Sequence, residues 1–170
     1  MAQVITDAQG FKRYLINLKI NGDNHTLIIK GNALLVNVLR DQLDLVGTKK
    51  GCEMGDCGSC TVLMDGEPVD SCLVLALEAE GNEITTIEGL SPNDKLDGLQ
   101  ESFIEQNAIQ CGYCTPGMIL AAKALLIKKP NPTEHEVRTA ISGNLCRCTG
   151  YVNIVKAIMD AAGSEPKEVQ

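Results

Sequence analysis

Eight cysteines are the residues of this 170-residue chain whose type and spacing are best suited to chemistry. They form two separated sets of four, with no cysteine left over: Cys52, Cys57, Cys60 and Cys72, then Cys111, Cys114, Cys146 and Cys148. Thiolates are ligands of zinc and of iron-sulfur clusters, and four of them complete one coordination set. The count and the grouping therefore indicate two metal sites.

The first set has the spacing C-x4-C-x2-C, and its fourth cysteine follows after eleven intervening residues. Plant-type ferredoxins hold a 2Fe-2S cluster through four thiolates with this spacing. Four glycines between residues 47 and 58 predict a loop whose backbone passes close to an inorganic core, with N–H groups turned toward its sulfides. Short strand patterns on either side of Asp65-Gly66 predict a hairpin that carries the chain on to Cys72.

The second set reads C-x2-C, thirty-one intervening residues and then C-x-C, and each pair precedes a predicted helix. Thr115 and Pro116 are predicted to be the N-cap and the first position of a buried helix through the apolar run 118–127. Helical spacing predicts a second helix over 151–162. Its inward stripe is Tyr151, Ile154, Val155, Ile158, Met159 and Ala162. Because helix N-termini favour the negative charge of thiolates, the two pairs are expected to form one four-thiolate site.

The strand patterns all lie in the first half of the chain. Residues up to about Arg13 show no period and are expected to be a mobile tail. Alternating apolar residues predict a hairpin over 14–28 with its turn at Asn21-Gly22, and a further strand over 83–87. Helical spacing over 34–43 predicts a helix between them. Strand, strand, helix, cluster loop and hairpin is the element order of a β-grasp fold.

Beyond Leu96 the patterns are helical only. The first of these helices is expected to bury one face made by Leu96, Leu99, Phe103 and Ile104. A capping-box pattern at Thr133–Glu136 predicts a further helix over 133–142. Breaker residues at 91–94 place the domain boundary there, so the two domains are expected to span 14–90 and 91–163. The charged segment 164–170 is expected to be loose.

Three segments carry a resemblance to a known family: GCEMGDCGSC, QCGYCTPGM and GNLCRCTGY. In order and spacing they resemble the small iron-sulfur subunit of the molybdenum hydroxylase, or xanthine oxidase, family, over roughly residues 15–162. The resemblance implies an α+β fold, with an N-terminal plant-ferredoxin-like β-grasp lobe followed by a C-terminal four-helix 2Fe-2S lobe. It also implies that each set of four cysteines holds one 2Fe-2S cluster.

The resemblance further implies an electron-transfer subunit of a molybdenum hydroxylase-type oxidoreductase. Electrons would pass between a molybdopterin centre on a large subunit and FAD on a medium subunit, in a heterotrimer that is expected to be dimerised. The cluster of the second set would lie next to molybdenum, and that of the first set would lie next to FAD. By the same resemblance, Gln110 hydrogen-bonds the molybdopterin, and the cluster sulfur at Cys148 contacts the pterin amino group.

No residue pattern in the chain indicates substrate chemistry of its own. It contains no G-x-G-x-x-G before a helix, no P-loop, no G-x-S-x-G and no convergent His and carboxylate set, so no catalytic residue is predicted. Substrate turnover is expected on another subunit. Two alternatives remain open: a free ferredoxin-like electron carrier, and an interaction module stapled by structural zinc. A scaffold of four disulfides is a weaker third alternative.

Composition narrows the setting of the protein. The formal net charge of -7 argues against a nucleic-acid partner. No apolar segment opens the sequence, so we expect a cytoplasmic protein whose thiols are reduced. No apolar run reaches membrane-spanning length, so we expect no membrane insertion. With no Trp, two Phe and three Tyr, each lobe has few large side chains for its core. Each lobe is therefore expected to depend on its cluster as a staple, and loss of iron is expected to cost the fold.

A few other charged or polar residues have open interpretations. Arg147 lies between two cysteines, where it either tunes a cluster by charge and hydrogen bonding or is an ordinary surface or interface arginine. His25 and His135 complete no metal set and are interpreted as surface residues. Lys49 and Lys50 precede the first cluster loop and are either part of a docking surface or simply solvated.

Overall fold

The N-terminal lobe is built on a mixed six-stranded sheet. The computed structural model describes residues 3–7 and 9–163. Its strands are β1 (Gln3–Thr6), β2 (Lys12–Ile20), β3 (Asp23–Lys30), β4 (Thr61–Met64), β5 (Glu67–Asp70) and β6 (Glu83–Thr85). A short helix, α1 (Leu35–Asn37), continues with wider turns through Val38–Gln42. This sheet with one covering helix confirms the β-grasp prediction.

Strand β2 is the centre of the sheet. It pairs antiparallel with β3 along its whole length, and its other edge is shared by β1 at residues 12–15 and by β6 at residues 19–20. Strand β6 runs parallel to β2 and antiparallel to β4, which in turn pairs with β5. The alternation of the sequence sets the faces, since Ile16, Leu18 and Ile20 are buried against α1 whereas the residues between them are exposed.

Both predicted hairpins are confirmed, and their turns have the expected backbone. Asn21-Gly22 has φ values of 53° and 89°, and Asp65-Gly66 has φ values of 52° and 81°. Positive φ at both central residues is the type I′ geometry that joins two-residue hairpins with the natural twist of the strands. The second hairpin returns the chain from β4 through β5 to Cys72, as predicted.

The predicted mobile tail up to about Arg13 is wrong. Strand β1 pairs with β2, and β2 itself begins at Lys12. The Asp7 carboxylate accepts hydrogen bonds from the backbone N–H groups of Gln9 and Phe11 and from the Arg13 side chain at 2.8 Å, which closes the turn between the strands. Four residues, most of them exposed, are too short a segment to show a period.

In the described part of the C-terminal lobe there are four α-helices, as predicted. They are α2 (Gly98–Glu105), α3 (Thr115–Lys128), α4 (Glu134–Ala140) and α5 (Val152–Gly163). Their common core is Leu99, Phe103, Met118, Ala122, Val137, Ile154 and Ile158, with other apolar residues around it. The capping box of Thr133 and Glu136 is confirmed, and Asp97 with Gln100 forms a second one at α2.

Two details of the helical lobe differ from the prediction. The N-cap of α3 is Cys114 rather than Thr115, because the helix already begins at Thr115. Leu96 and Ile104 are exposed, so the buried face of α2 is formed by Leu99, Ser102 and Phe103. Ser102 is satisfied there by donating to the Ala157 carbonyl oxygen. Apolar periodicity predicts that Ile104 is buried and gives no reason to bury a serine. Ser102 is buried instead, because its hydroxyl has a hydrogen-bond partner there.

The two lobes share a small apolar interface. Leu63 of β4 packs against Leu120 and Ala124 of α3, and Leu90 from the turn Ile87–Leu90 packs beside them. The predicted boundary between residues 90 and 91 stays a prediction. The predicted loose segment 164–170 lies outside the described residues. Among the helices of the described chain, none combines the length and the apolar character needed to cross a bilayer.

Candidate metal centres

The loop from Gly51 to Cys60 places the first two cysteines side by side. The backbone N–H of Cys52 points at Cys57 Sγ at 3.4 Å, and the N–H groups of Met54 and Asp56 point at Cys52 Sγ at 3.4 and 3.3 Å. Positive φ at Glu53 (55°) and at Gly55 (86°) turns these N–H groups inward. Such donors stabilise thiolate, and the N–H of Met54 contributes most to lowering the pKa of Cys52 to about 7.

The other two cysteines of the first set form an inner pair. Cys60 ends the loop and Cys72 follows β5; both are buried, and they pack with Val36 of α1. Burial raises the pKa of Cys60 to about 12, and the neighbouring Cys72 thiol adds to the increase. A buried thiol of this kind keeps its proton at neutral pH unless a metal cation takes the proton's place. The first set therefore consists of a half-exposed pair, Cys52 with Cys57, and a buried pair, Cys60 with Cys72.

The segment before the loop is held by side chains that sequence reasoning did not identify. The Arg40 guanidinium donates to the carbonyl oxygens of Val46 (2.8 Å) and Thr48 (2.6 Å). The Glu88 carboxylate accepts from the N–H of Gly47 at 2.8 Å. The sequence shows only that Arg40 lies off the apolar stripe of its helix. Nothing in it links Arg40 to the carbonyl oxygens six and eight residues further on. These bonds fix the approach to the first site.

The second set also divides into two pairs. Cys148 Sγ lies 3.6 Å from Cys111 Sγ, and both residues are exposed. This contact with Cys111 raises the pKa of Cys148. Cys114 and Cys146 form the inner pair, where burial, followed by the Cys146 thiol, raises the pKa of Cys114 to about 12. The residues just before α3 and α5 thus meet as predicted.

Hydrogen bonds hold both the thiol and the backbone of Cys146. The Thr149 hydroxyl lies 3.1 Å from Cys146 Sγ, and the Tyr151 hydroxyl accepts from the Cys146 N–H at 2.8 Å. Burial alone would raise the pKa of Cys146, but hydrogen bonds from Thr149, together with those from Cys148 and Cys114, outweigh burial and the pKa is lowered. Tyr151 adopts a positive φ of 68°, which closes the turn between Cys148 and α5. The sequence places Tyr151 on the inward stripe but does not indicate this bond.

Pairs of thiols suit a two-iron cluster better than a single ion. In a 2Fe-2S cluster each iron takes two protein ligands, whereas structural zinc needs four ligands around one position. The backbone at Gly51 also lies close to a thiol, since a Cβ on Gly51 would be 2.6 Å from Cys57 Sγ. Both sets therefore fit a two-iron cluster.

The two sites are joined directly through the backbone. The N–H of Leu145 donates to the carbonyl oxygen of Cys57 at 2.9 Å, so a residue bonded to Cys146 contacts a cysteine of the first set. The Tyr113 hydroxyl, between the two cysteines of the C-x2-C pair, donates to the Lys50 carbonyl oxygen at 2.5 Å. Neither contact is visible in the sequence, because each joins residues more than sixty positions apart.

The other polar residues considered in the sequence analysis are exposed or half-buried. Gln110 is exposed next to Cys111, and Arg147 is exposed next to Cys148. His135 is exposed at the start of α4, while His25 is half-buried on β3. Lys50 Nζ donates to Asn37 Oδ1 at 2.9 Å and lies 3.4 Å from Glu53, which ties it to its own lobe rather than leaving it free to dock.

Known proteins resemble the chain over almost its whole folded length. Residues 18–88 match the 2Fe-2S iron-sulfur cluster binding domain family, and residues 86–159 match the 2Fe-2S binding domain family. The nicotinate dehydrogenase small FeS subunit of Eubacterium barkeri is 49% identical over 84% of this chain and 91% of its own length. The nicotine 6-hydroxylase small subunit of Paenarthrobacter nicotinovorans is 48% identical over 89% of this chain and 91% of its own.

A solved structure agrees with these relatives. The crystal structure of quinoline 2-oxidoreductase from Pseudomonas putida 86 contains a chain that superposes with a TM-score of 0.86 at 49% identity, covering 88% of this chain and 93% of that one. The chain belongs to the small iron-sulfur subunits of the molybdenum hydroxylase family. This small iron-sulfur subunit carries two 2Fe-2S binding domains, which confirms the predicted fold class and the predicted pair of clusters.

Proposed function

We propose that this small iron-sulfur subunit relays electrons between a molybdopterin centre on a large subunit and FAD on a medium subunit. Its relatives are iron-sulfur subunits of multi-subunit dehydrogenases and oxidoreductases, so electron transfer within such an enzyme is its general function. Clusters held entirely by thiolate supply outer-sphere, one-electron transfer and offer no open coordination position. Substrate chemistry is accordingly assigned to the large subunit.

The observation that carries the relay is the contact between the two cluster loops. Cys57 and Cys146 belong to different sets, yet only one hydrogen bond of 2.9 Å and the Leu145 backbone lie between the Cys57 carbonyl oxygen and Cys146. A free carrier needs one site and an accessible surface, whereas two sites bonded loop to loop form a continuous route through the chain. We therefore favour the relay over a free ferredoxin-like carrier.

We assign all eight cysteines as cluster ligands, each set holding one cluster through an outer and an inner pair. The outer pairs are Cys52 with Cys57 and Cys111 with Cys148, and the inner pairs are Cys60 with Cys72 and Cys114 with Cys146. Lowered pKa values at Cys52 and Cys146 and inward N–H groups support thiolate ligation. No residue of this chain is assigned to catalysis on the substrate.

The exposed pair of the second site is proposed to meet the large subunit. Cys111 and Cys148 both reach the surface, and Gln110 is exposed beside Cys111, where its amide can hydrogen-bond a pterin. Large apolar side chains surround them at the surface: Ile109 is 38% exposed, Tyr113 47% and Leu145 55%. An exposed apolar surface of this kind favours a permanent partner.

The same reasoning gives the rest of the proposed assembly. The first site also has exposed apolar neighbours, Met54 and Leu73, which suit a second contact with the FAD subunit. We propose a heterotrimer that dimerises, located in the cytoplasm, where eight free thiols remain reduced for cluster assembly. Relatives named for nicotinate and nicotine imply that related small subunits serve enzymes with different substrates. The substrate is therefore set by the partner.

Elemental analysis of the complex, purified gently from its native host with all co-purifying chains retained, tests this proposal. The expected result is about four irons per chain together with about one molybdenum. Two irons per chain would overturn the two-cluster assignment. Four irons without molybdenum, in a preparation where no large chain co-purifies even after mild crosslinking before lysis, would replace the relay by a free carrier.

A further inference from the structure

Asn144 has an unusual position between the two sites. Its side chain is buried, with 4% of its surface exposed, and it lies two residues before Cys146. The amide nitrogen donates to the Gly58 carbonyl oxygen at 2.8 Å and to the Thr61 hydroxyl at 3.0 Å. Gly58 lies between Cys57 and Cys60 of the first set. One buried amide thus connects the cysteine turn of the helical lobe to the cluster loop of the sheet lobe.

Two glycines leave no room for a side chain beside this amide. A Cβ on Gly58, where φ is 64°, would lie 2.5 Å from Asn144 Nδ2 and 2.5 Å from the Gly143 carbonyl oxygen. A Cβ on Gly117 of α3 would lie 2.3 Å from the Gly58 carbonyl oxygen and 3.1 Å from Asn144 Nδ2. Two glycines therefore allow the backbones of the two lobes to close around Asn144.

The hydrogen bonds at this position form a small closed network. The Thr61 hydroxyl donates to the Gly58 carbonyl oxygen at 2.7 Å and accepts from Asn144, while the Leu145 N–H donates to Cys57. Both protons of the Asn144 amide nitrogen are used by acceptors on the sheet lobe. Asp at this position has the same shape but no proton to donate, and it would place a carboxylate against the Gly58 carbonyl oxygen.

We infer that Asn144 is a positioning residue that fixes the separation of the two clusters and thereby sets the rate of electron transfer between them. This inference rests on the proposed relay. The Cys57–Leu145 contact supplies the route, and the Asn144 amide holds the two backbones at the distance that this contact requires. Because the described hydrogen bonds of the Asn144 side chain go to Gly58 and Thr61 and not to a cysteine Sγ, its replacement is expected to alter the geometry between the sites rather than the ligand set of either.

The test uses the whole complex with Asn144→Asp and with the milder Thr61→Val, which removes one acceptor of the amide while keeping the side-chain shape. Asn153→Asp is the matched control, since Asn153 is an exposed amide on α5 whose hydrogen bond in the described residues goes to the Asn107 carbonyl oxygen within the helical lobe. The measurements are iron content, the reduction potential of each cluster, the magnetic interaction between the two reduced clusters by EPR, and the rate of electron transfer between them after rapid reduction.

Asn144→Asp is expected to keep about four irons per chain and to slow transfer between clusters by about tenfold, equivalent to about 1.4 kcal/mol in the barrier. It should also change the magnetic interaction, and Thr61→Val should cause a smaller change in the same direction. The control should match the unmodified complex. Unchanged magnetic interaction and transfer rate in both variants, with all iron retained, would overturn the inference and leave the relay intact. Loss of only one cluster, with the other potential shifted, would make Asn144 a structural residue of that site instead.

Discussion

At the scale of single residues, the Thr149 hydroxyl provides a test of how the chain tunes its second site. The hydroxyl oxygen accepts from the N–H of Tyr151 at 3.1 Å, which leaves its proton free to point at Cys146 Sγ, also at 3.1 Å. A donor to a thiolate ligand stabilises the more negative, reduced state of a cluster. Thr149→Val keeps the shape and removes this donor, so the reduced state loses that support.

We predict that Thr149→Val lowers the reduction potential of the second cluster by up to about 59 mV, a tenfold change in the one-electron equilibrium. The measurement is a potentiometric titration monitored by EPR, which distinguishes the two clusters. Thr149→Ser is the control, because it keeps the hydroxyl and should leave the potential nearly unchanged. The idea fails if Thr149→Ser shifts the potential as much as Thr149→Val, since the cause would then be packing of the methyl group.

The residue pattern of the chain predicts some features of the two sites and not others. The grouping of the eight cysteines is readable from spacing alone, but their pairing is not. Cys60 and Cys72 become partners only because β4 and β5 fold back on each other, and Cys111 meets Cys148 only because the helices that follow them, α3 and α5, contribute to one core. Asn144 lies inside a segment whose pattern is recognisable, yet its acceptors Gly58 and Thr61 are more than eighty residues away. Contacts between lobes leave no local signal.

At the scale of elements, helix α3 approaches the first cluster loop more closely than any side chain would allow. Gly117 lies in its first turn, directly against the Gly58 carbonyl oxygen, which is backbone and cannot move aside like a flexible side chain. We predict that Gly117→Ala forces α3 away from the loop and destabilises the protein by about 1–3 kcal/mol, as overpacking does elsewhere. Thermal loss of the cluster absorbance in the intact complex is the measurement.

Gly98→Ala is the matched control for this prediction. Gly98 is the first residue of α2, and a Cβ there meets no atom within 4 Å. The substitution should be neutral or stabilising by about 0.4–1 kcal/mol, because it only restricts the unfolded chain. If Gly117→Ala and Gly98→Ala behave alike, then α3 and the loop are not in tight contact in the working protein.

Elements were predicted from the sequence to different degrees, for identifiable reasons. The two-residue turns at Asn21-Gly22 and Asp65-Gly66 have a strong local signature, and the capping box at Thr133 fixes the start of α4. Strand β1 was missed because its pairing with β2, rather than its own residues, makes it a strand. The wider turns of Val38–Gln42 have no periodic signal that distinguishes them from an ordinary helix.

At the scale of the whole molecule, the two lobes use their cysteines differently. The core of the sheet lobe is formed by residues such as Ile16, Leu18 and Ile84 and contains no cysteine, since Cys60 and Cys72 lie in a separate small cluster with Val36. In the helical lobe, Cys114 and Cys146 pack directly against the main core. The core of the helical lobe therefore borders the second metal site, whereas the core of the sheet lobe is separate from the first metal site.

Removal of iron should consequently destabilise the helical lobe before the sheet lobe. We predict that anaerobic chelation unfolds the helical lobe first, because releasing the inner pair leaves two thiols with no metal at the edge of its core. Hydrogen exchange on the complex should show that the amides of α3 and α5 lose protection while those of β2 and β3 remain protected. Restoring iron and sulfide should restore the protection of α3 and α5. Simultaneous loss in both lobes would instead mean that the junction at Asn144 and the Leu63–Leu120 contact make the chain one cooperative unit.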